Sequence, residues 1–338
     1  MRTIAVINQK GGVGKTTTVA NLGAALAGRG CDVCLFDLDP QSHLTLHLGV
    51  EPGSTAKSIY DVLGAGADLS AVRLKVGERL YLVPSEIDLA GAEVELAATV
   101  GRELILRDAL AACSLGCQLA LIDCPPSLGL LTLNALAAAS DMLIPLQPHF
   151  LALQGLGKLL ETASLVQRRI NPLLTVGGVI LCMYETGTRL AAEVVADLRA
   201  FFDAARGGDC PWSNARIFHT VIRRNIKLAE CPSHGKTIFQ YDPASRGAAD
   251  YGALADEFVR CYPSLFPGAA SSSTPVAAAS YNPAQAPRLV VPGPAPARRT
   301  AAYNPAQAPS IVPLATPGAP HYVPAGPAGA VASELGSS

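Results

Sequence analysis

The residues with the clearest chemical potential form a glycine-rich segment with two lysines near the start of the chain. An apolar run at 4–7 precedes this segment and a stretch of helical character follows it, which is the setting that a phosphate-binding loop requires. Glycines leave backbone N–H groups free to cradle a polyphosphate, and the helix N-terminus adds favourable partial charge. Lys15 is predicted to reach the β- and γ-phosphates, and the Thr16 hydroxyl to ligate Mg²⁺. The complete segment is Lys10, Gly11, Gly12, Val13, Gly14, Lys15, Thr16 and Thr17.

Three carboxylates follow apolar segments farther along the chain. Asp37 and Asp39 stand at the end of a predicted strand over 33–38, and Asp123 ends another over 119–123. Because ligands bind outside the carboxyl ends of parallel strands, these residues are expected near the phosphate loop. Asp123 is then placed to hold Mg²⁺ through a water molecule. A turn-forming role for Asp37 and Asp39 stays open, since an Asp-Pro pair favours turns by itself.

Lys10 is an additional lysine at the entrance of the loop, and with it the segment resembles the deviant Walker A loop of the ParA/MinD ATPases. The chain is most similar to the short chromosomal ParA (Soj-type) proteins, over residues 1 to about 265. The resemblance implies ATP and Mg²⁺ as cofactors, and an ATPase that is weak alone and stimulated by a partner. The other segments that carry it are Asp37 to Gln41, Ile122 to Ser127, Gly129 to Ala135, Pro232 to Lys236, Tyr241 to Pro243 and Ser245 to Gly247.

The resemblance implies roles for individual residues. Lys10 cannot easily reach its own γ-phosphate, because Lys15 occupies that approach; in the family it crosses to the nucleotide of a second subunit. The resemblance therefore implies a dimer in which ATP is held between the two subunits. Asp39 would orient the attacking water, so the catalytic set is Lys10, Lys15 and Asp39. Asp37 would assist the metal or a switch loop, and the expected metal set is Thr16, Asp37 and Asp123. Nucleotide contacts are expected from Lys10 through Thr17 and from Met183, Pro232, Asp242 and Pro243.

A second expected function concerns DNA. Arg223, Arg224 and Lys227 follow a predicted strand, and Arg224 falls where the family has an arginine that contacts DNA phosphates. A second family arginine falls opposite Gly187, so Arg189, two residues on, is the candidate to replace it. Phosphate contacts would give binding without sequence preference and with a strong dependence on salt. A solvated basic face without DNA is the alternative.

The leading interpretation is a DNA-partitioning ATPase whose ATP-bound dimer coats the nucleoid and is released when a ParB-like partner stimulates hydrolysis. A MinD-like membrane switch is disfavoured, because the chain ends without a basic amphipathic helix. A positioning ATPase for protein cargo and a metabolic P-loop enzyme remain alternatives. The chain starts at its first predicted strand without a signal peptide or a helix-turn-helix domain, so a cytoplasmic, nucleoid-associated protein that does not span the membrane is expected.

The elements expected to position these residues alternate along the chain. Strands are predicted over 4–7, 33–38, 80–84, 119–123, 142–146, 176–182 and 217–222, and helices over segments such as 102–112, 129–139, 153–170 and 189–205. This alternation predicts an α/β fold with a doubly wound, mainly parallel sheet that has helices on both faces. The composition agrees, because 49% of the residues are hydrophobic and only 5% are aromatic.

Charge and cysteine content restrict the remaining possibilities. The formal net charge is −1, so DNA binding requires a local basic patch. The nine cysteines are scattered, which indicates reduced core residues more than a disulfide framework. A redox or iron–sulfur role for Cys31 with Cys34, or for Cys113 with Cys117, stays open, whereas His43 and His47 lack further metal ligands nearby.

The chain is expected to form an ATPase domain over residues 1–266 and a disordered tail over 267–338. The tail is dominated by Ala, Pro, Gly and Ser, and such a composition buries too little apolar surface to offset the entropy of ordering. It repeats one heptapeptide, from Tyr281 to Pro287 and from Tyr303 to Pro309. An inert extension and a pair of short partner-binding motifs are both compatible with this pattern.

Overall fold

The computed structural model describes residues 1–149 and 152–266, and all of these fall within one compact unit. The tail at 267–338, with its heptapeptide repeat, lies outside the described residues. The strands of the described part are β1 (Arg2–Val6), β2 (Val33–Asp37), β3 (Leu74–Gly77), β4 (Leu80–Val83), β5 (Leu119–Asp123), β6 (Asp141–Leu146), β7 (Thr175–Tyr184), β8 (Arg216–Ile217) and β9 (Ile222–Arg223).

Helices alternate with these strands, and local capping fixes several of their starts. Ser58 caps one helix within a capping box, and the Ser245 hydroxyl accepts a hydrogen bond from the Ala248 N–H at the start of another. The α-helices are α1 (Lys15–Ala27), α2 (His43–His47), α3 (Ile59–Ala65), α4 (Leu69–Val72), α5 (Leu89–Glu95), α6 (Ile105–Ala112), α7 (Leu130–Ala138), α8 (Ala152–Arg169), α9 (Arg189–Ala204), α10 (Ile226–Glu230), α11 (Ile238–Tyr241) and α12 (Arg246–Cys261). Short 3₁₀ segments lie at Leu96–Ala98, Arg102–Leu104, Cys231–His234 and Pro263–Leu265.

The sheet has the order β3-β4-β2-β5-β1-β6-β7-β8, and β9 pairs with β7. The pairings are parallel except for β3 with β4, which is antiparallel. One hydrophobic core packs under α1 and α12 on one face, and a second packs under α3 and α5 through α9 on the other. The predicted doubly wound, mainly parallel sheet is therefore confirmed.

Strand register brings the chemical residues together. The central strands β2 and β5 are buried along their whole length, as continuous apolar strands with cover on both faces must be. Asp37 pairs directly with Asp123 across these strands, and Val6 at the end of β1 pairs with Asp123 on the other side. The phosphate loop that follows β1 therefore starts beside both carboxylates.

Two features of the sheet were predicted wrongly. β3 was not predicted, because this edge strand is largely solvated and lacks an apolar run. The strand expected over 217–222 is instead two short strands. Between them, the Glu257 carboxylate accepts hydrogen bonds from the backbone N–H groups of His219 and Thr220, at 2.7 and 2.8 Å. A side chain from α12 thus replaces the ladder bonds of a continuous strand.

The nine cysteines are free thiols, and six of them are buried. Most of the cysteines thus lie in the core, whereas Cys113, Cys210 and Cys261 are partly exposed. No helix in the described ranges combines the length and apolar character needed to cross a bilayer.

Candidate nucleotide site

The glycine loop leads directly into α1. Gly14 caps this helix with φ +92°, and Gly12 has φ +72°, a backbone region that side chains other than glycine rarely adopt. Lys15, the first residue of α1, is only 7% exposed. The loop thus presents backbone N–H groups, the helix start and one buried cation to the same region.

The helix behind the loop is fixed by side-chain contacts. The Asn21 side chain donates to the Thr17 carbonyl at 2.9 Å and accepts from the Ile238 N–H at 2.7 Å, which links α1 to α11. The Thr18 hydroxyl lies 3.2 Å from the Tyr251 hydroxyl of α12. These contacts hold the loop in place, and the Thr17 carbonyl is the one group they use from the residues predicted to touch the nucleotide.

Asp123 is a buried carboxylate without a hydrogen-bond partner among the described residues. The residue is fully buried, and neither of its carboxylate oxygens has a partner. Burial first, and then the charge of the neighbouring Asp37, raise the pKa of Asp123 well above its usual range. A carboxylate in such a position requires a cation, a proton or water. Together with the Thr16 hydroxyl, it offers the hard oxygen ligands that Mg²⁺ prefers, so these residues fit the expected metal.

Asp37 is equally buried, but its oxygens are satisfied. One oxygen accepts from the Thr45 backbone N–H at 2.8 Å and from the Thr45 hydroxyl at 2.7 Å, and the other accepts from the Asp39 N–H at 3.2 Å. Burial raises the pKa of Asp37, and the bonds from Thr45 oppose that rise. Asp37 therefore fixes the segment after β2 through its carboxylate, and its assistance to the metal or to a switch loop stays a prediction.

Asp39 occupies the rim of the site. Its carboxylate accepts a hydrogen bond from the Gln41 N–H at 3.0 Å, and its carbonyl accepts one from the Ser85 hydroxyl at 2.9 Å. The turn geometry expected of an Asp-Pro segment is thus present, together with a side chain on the cleft. The two interpretations of this residue are compatible.

A cleft of about 850 Å³ extends from the loop and is large enough for a nucleotide. Met183 and Pro232 line it as expected, whereas Asp242 and Pro243 are not among its lining residues. Leu46, Gly49, Val50 and Glu51 also line it and belong to none of the sequence motifs described above. The lining residues are Gly11, Gly12, Gly14, Lys15, Thr16, Thr17, Asp39, Gln41, His43, Leu46, His47, Gly49, Val50, Glu51, Pro126, Met183, Pro232, Ser233 and Gly235.

One wall of the cleft forms where the end of α2 meets the 3₁₀ segment Cys231–His234. Gly49 and Gly235, both with positive φ, approach so closely that a Cβ on Gly235 would lie 2.7 Å from the Gly49 Cα. Beside them, the His47 Nε2 lies 3.5 Å from the Cys231 sulfur. Burial lowers the pKa of His47 to about 4, so this imidazole is neutral. His47 is thus a packing residue and His43 is exposed, and no group of three or more His, Cys, Asp and Glu side chains in the described part could hold a metal ion.

Comparison with known proteins places the chain in a family. A family model described as an AAA domain matches residues 1–176. Over 255 residues the chain is 45% identical to the sporulation initiation inhibitor protein Soj of Bacillus subtilis, covering 75% of this chain and 96% of that protein. It is also 45% identical over 259 residues to the chromosome-partitioning ATPase Soj of Treponema pallidum, covering 76% and 97%. The chain belongs to the ParA/Soj family of P-loop ATPases. The resemblance predicted from the motifs is thereby confirmed.

A solved structure supports the nucleotide site of this ParA/Soj-type chain. The cobyrinic acid a,c-diamide synthase of Mycobacterium smegmatis, with bound ADP and magnesium, is 39% identical, has a TM-score of 0.65 and covers 78% of this chain and 96% of its own. The same protein has been solved with an ATP analogue and magnesium. The fold of the ParA/Soj-type chain is thus shared with a protein that holds a nucleotide and magnesium.

Lys10 has a different environment from Lys15. Its side chain is exposed, it is not among the lining residues of the nucleotide cleft, and its Nζ contacts the His149 Nε2 of the same chain. This contact was not predicted, because the partners are 139 positions apart and no local pattern relates them.

The four basic residues expected to contact DNA each have an acidic partner. Arg223 binds Asp250, whose side chain is only 7% exposed, through both its backbone N–H and its guanidinium. The other pairs are more exposed: Arg224 with Glu185 at 3.6 Å, Arg189 with Glu193 at 2.8 Å, and Lys227 with Glu230 at 2.9 Å. The expected basic patch is therefore balanced by four acids.

Proposed function

We propose that this ParA/Soj-type ATPase hydrolyses Mg²⁺-bound ATP as the switch of a DNA-partitioning system. The observation that carries the proposal is the buried, unpartnered Asp123 beside the glycine loop, in a chain 45% identical to a protein named as a chromosome-partitioning ATPase. The loop accounts for phosphate binding and the carboxylate for the metal. The role in partitioning follows from the relatives.

The side chains divide the chemistry among them. Backbone N–H groups of the loop and the Lys15 ammonium hold the phosphates, and Thr16 and Asp123 would hold Mg²⁺. The bound ion would neutralise charge that develops on the transferred phosphoryl group. Asp39, on the cleft with one oxygen fixed by the Gln41 N–H, orients the attacking water.

Lys10 acts on the nucleotide of a second subunit. Its place outside the cleft-lining set and its exposed side chain support this role, because a lysine aimed at its own nucleotide would line the cleft. ATP is then held between two subunits, and each Lys10 contributes charge in the way an arginine finger does. The ATP-bound dimer is the state that binds DNA.

DNA binding requires the basic residues to exchange acidic partners for phosphates. Exposed ion pairs contribute only about 0–1 kcal/mol, so Arg189, Arg224 and Lys227 can make this exchange at low cost. Arg223 is held by the nearly buried Asp250 and is the weakest candidate of the four. A dimer presents twice as many basic residues to DNA as a monomer does. Because ATP drives dimerisation in this proposal, ATP controls the affinity for DNA.

Two other functions have less support. Membrane cycling of the MinD type is less well supported, because the relative at 45% identity that is named for its activity is a chromosome-partitioning ATPase. The diamide synthesis for which the Mycobacterium smegmatis protein is named is also less well supported, because that chain is 39% identical, whereas the partitioning relatives reach 45%. The same cycle of DNA binding and release could instead move a protein cargo. The identity of the partner protein would decide between this function and DNA partitioning. We expect the partner to be a ParB-like protein that stimulates hydrolysis.

The test is binding to random-sequence double-stranded DNA with ADP or with a slowly hydrolysed ATP analogue. Binding only with the analogue, and falling steeply with salt, would support the proposal. Lys10→Ala should keep monomeric nucleotide binding and lose both ATP-dependent dimers and DNA binding. Equal binding with the two nucleotides, or none with either, would contradict the ATP-gated switch.

A further inference from the structure

The contact between Lys10 and His149 lies outside the nucleotide cleft and has no role in the mechanism described above. The Lys10 Nζ meets the His149 Nε2 beside a small cavity of about 230 Å³. This cavity is lined by Asn8, Gln9, Lys10, Val13, Leu146, Gln147, His149, Ala152 and Gly155. The cavity therefore lies between the entrance of the phosphate loop and residues at the end of β6 and the start of α8.

The backbone around the contact is fixed on both sides. The Asn8 side chain donates to the Pro145 carbonyl at 2.7 Å and accepts from the Lys10 N–H at 3.0 Å. The His149 carbonyl accepts from the Ala152 N–H at 2.9 Å, at the start of α8. The two side chains thus meet from anchored positions, and the loop entrance is tied to β6 by a neighbouring bond.

The chemistry of the pair allows one arrangement. A lysine ammonium only donates hydrogen bonds, so the imidazole must accept through Nε2 and must be neutral. Burial and the Lys10 charge lower the pKa of His149, which favours this neutral form. Among the described residues that line the cavity, Lys10 is the charged group that faces His149, and Asn8, Gln9 and Gln147 are polar but uncharged.

We propose that His149 is a positioning residue that holds Lys10 on its own subunit and so opposes the ATP-bound dimer. This inference rests on the proposed role of Lys10 in trans. A lysine bonded to its own chain must leave His149 before it can reach the partner's nucleotide. The bond therefore raises the concentration of ATP-bound monomer needed for dimerisation, and it limits premature closure.

Protonation of His149 should release the lysine. An imidazolium cannot accept the hydrogen bond, and it repels the adjacent ammonium group. Dimerisation of the wild-type chain should therefore become easier as the pH falls through the titration of His149, whose pKa lies below its ordinary value. This pH dependence of dimerisation requires an ionisable group at the position of His149. A purely structural role of His149 would not produce it.

The experiment uses the full chain and measures the midpoint protein concentration of dimerisation by sedimentation velocity, with a slowly hydrolysed ATP analogue and Mg²⁺. His149→Ala should lower the midpoint by ~3–10-fold at pH 7.5, as expected for loss of one charge-assisted hydrogen bond at a partly exposed site. His149→Gln retains an acceptor for Lys10, so it should restore the wild-type midpoint and show no dependence on His149 protonation. His219→Ala, at an exposed histidine away from the cavity, is the matched control.

The outcomes separate this inference from the proposed function. If Lys10→Ala dimerises as the wild type does, the role in trans is wrong and the inference fails with it. If Lys10→Ala fails to dimerise while His149→Ala matches the wild type, only the holding role of His149 is overturned. A His149→Ala variant that cannot dimerise, yet melts at the wild-type temperature and binds nucleotide as a monomer, also overturns it, because His149 would then assist the dimer.

Discussion

At the residue scale, the site buries carboxylates, which do not by themselves favour folding. Asp37 and Asp123 are both fully buried and face each other across neighbouring strands. Asp37 has bonds from Thr45 to offset its burial, whereas Asp123 has none among the described residues. A buried carboxylate without a hydrogen-bond partner is costly in a parallel-sheet core even with the Lys15 charge nearby, and its retention is understandable if a cation binds there.

Asp123→Asn should therefore separate stability from activity. Removing the buried charge while keeping the shape should raise the free energy of unfolding without metal by about 1–2 kcal/mol, because the desolvation penalty is relieved. The same change should lower Mg²⁺-dependent hydrolysis by about 100-fold or more. Urea denaturation in chelator and steady-state ATPase assays measure the two effects.

The matched control for this change is Asp256→Asn, at a surface carboxylate paired with Arg29. It should alter neither quantity appreciably. A less stable Asp123→Asn protein would show that the carboxylate is compensated in the folded state, and would weaken its assignment to the metal.

How far the sequence predicts the site depends on the range of the interactions. The loop from Lys10 to Thr17 is local, and its strand-loop-helix setting was predicted correctly. The contacts of Asp37 with Thr45 and of Lys10 with His149 depend on tertiary packing, and motif spacing carries no information about them. The pairs of Arg223 with Asp250 and of Arg224 with Glu185 were missed for the same reason. The pairs of Arg189 with Glu193 and of Lys227 with Glu230 are four and three positions apart, a local spacing that sequence alone could have indicated.

At the element scale, the wall of the cleft depends on the close approach of α2 and the 3₁₀ segment Cys231–His234. Gly235→Ala should destabilise the protein by about 3 kcal/mol, because the new methyl group meets the Gly49 backbone and the residue has positive φ. It should also weaken nucleotide binding, since Pro232 and Ser233 line the cleft. Urea denaturation and titration with a fluorescent ATP analogue test both expectations.

Gly53→Ala separates the backbone strain of this substitution from the steric clash. Gly53 also has positive φ, but nothing lies within 4 Å of an added Cβ. It should cost about 1 kcal/mol and leave nucleotide binding intact. Equal losses in the two variants would indicate that the contact with Gly49 is unimportant.

The same interface should make stability depend on pH. Burial lowers the pKa of His47 from 6.5 to about 4, so below pH 6.5 the unfolded chain binds a proton that the folded chain does not. Stability from this group is present above pH 6.5 and is lost as pH falls towards 4, by about 3 kcal/mol in total. His47→Gln should lack this loss, so its stability difference from the wild type should change steadily with falling pH. A constant difference between pH 7 and 4.5 in urea denaturation would refute the assignment.

Element prediction succeeded where the pattern was strong. The buried strands β2 and β5 are continuous apolar runs, and α8 and α9 lie close to their predicted bounds. β3 is an edge strand with little burial, and the break between β8 and β9 is imposed by Glu257 from α12. Such features depend on neighbours that a local window of sequence does not contain.

At the scale of the whole molecule, charge organisation decides how DNA could be bound. With a net charge of −1, the chain has no general attraction for phosphate, and the candidate basic residues are paired with acids. Under the proposed function, affinity for DNA would come from a few exchanged ion pairs and would be multiplied by dimerisation. The monomer should then bind DNA weakly and the proposed ATP-bound dimer tightly.

Arg223 and Arg224 are adjacent and should differ in what they contribute. Arg224→Ala should weaken the binding of every DNA sequence alike and reduce the magnitude of the log–log salt slope by about 1 for each contact removed, because its exposed pair with Glu185 can yield to phosphate. Arg223→Ala should change DNA binding little and lower stability by about 1 kcal/mol, because it removes a partner of the nearly buried Asp250. Fluorescence anisotropy on two unrelated duplexes from about 50 to 200 mM salt, with urea denaturation of both variants, separates these effects. If Arg223→Ala instead weakened DNA binding more than Arg224→Ala did, the ion pair between Arg223 and Asp250 must open in the complex. The DNA-binding surface would then extend towards α12.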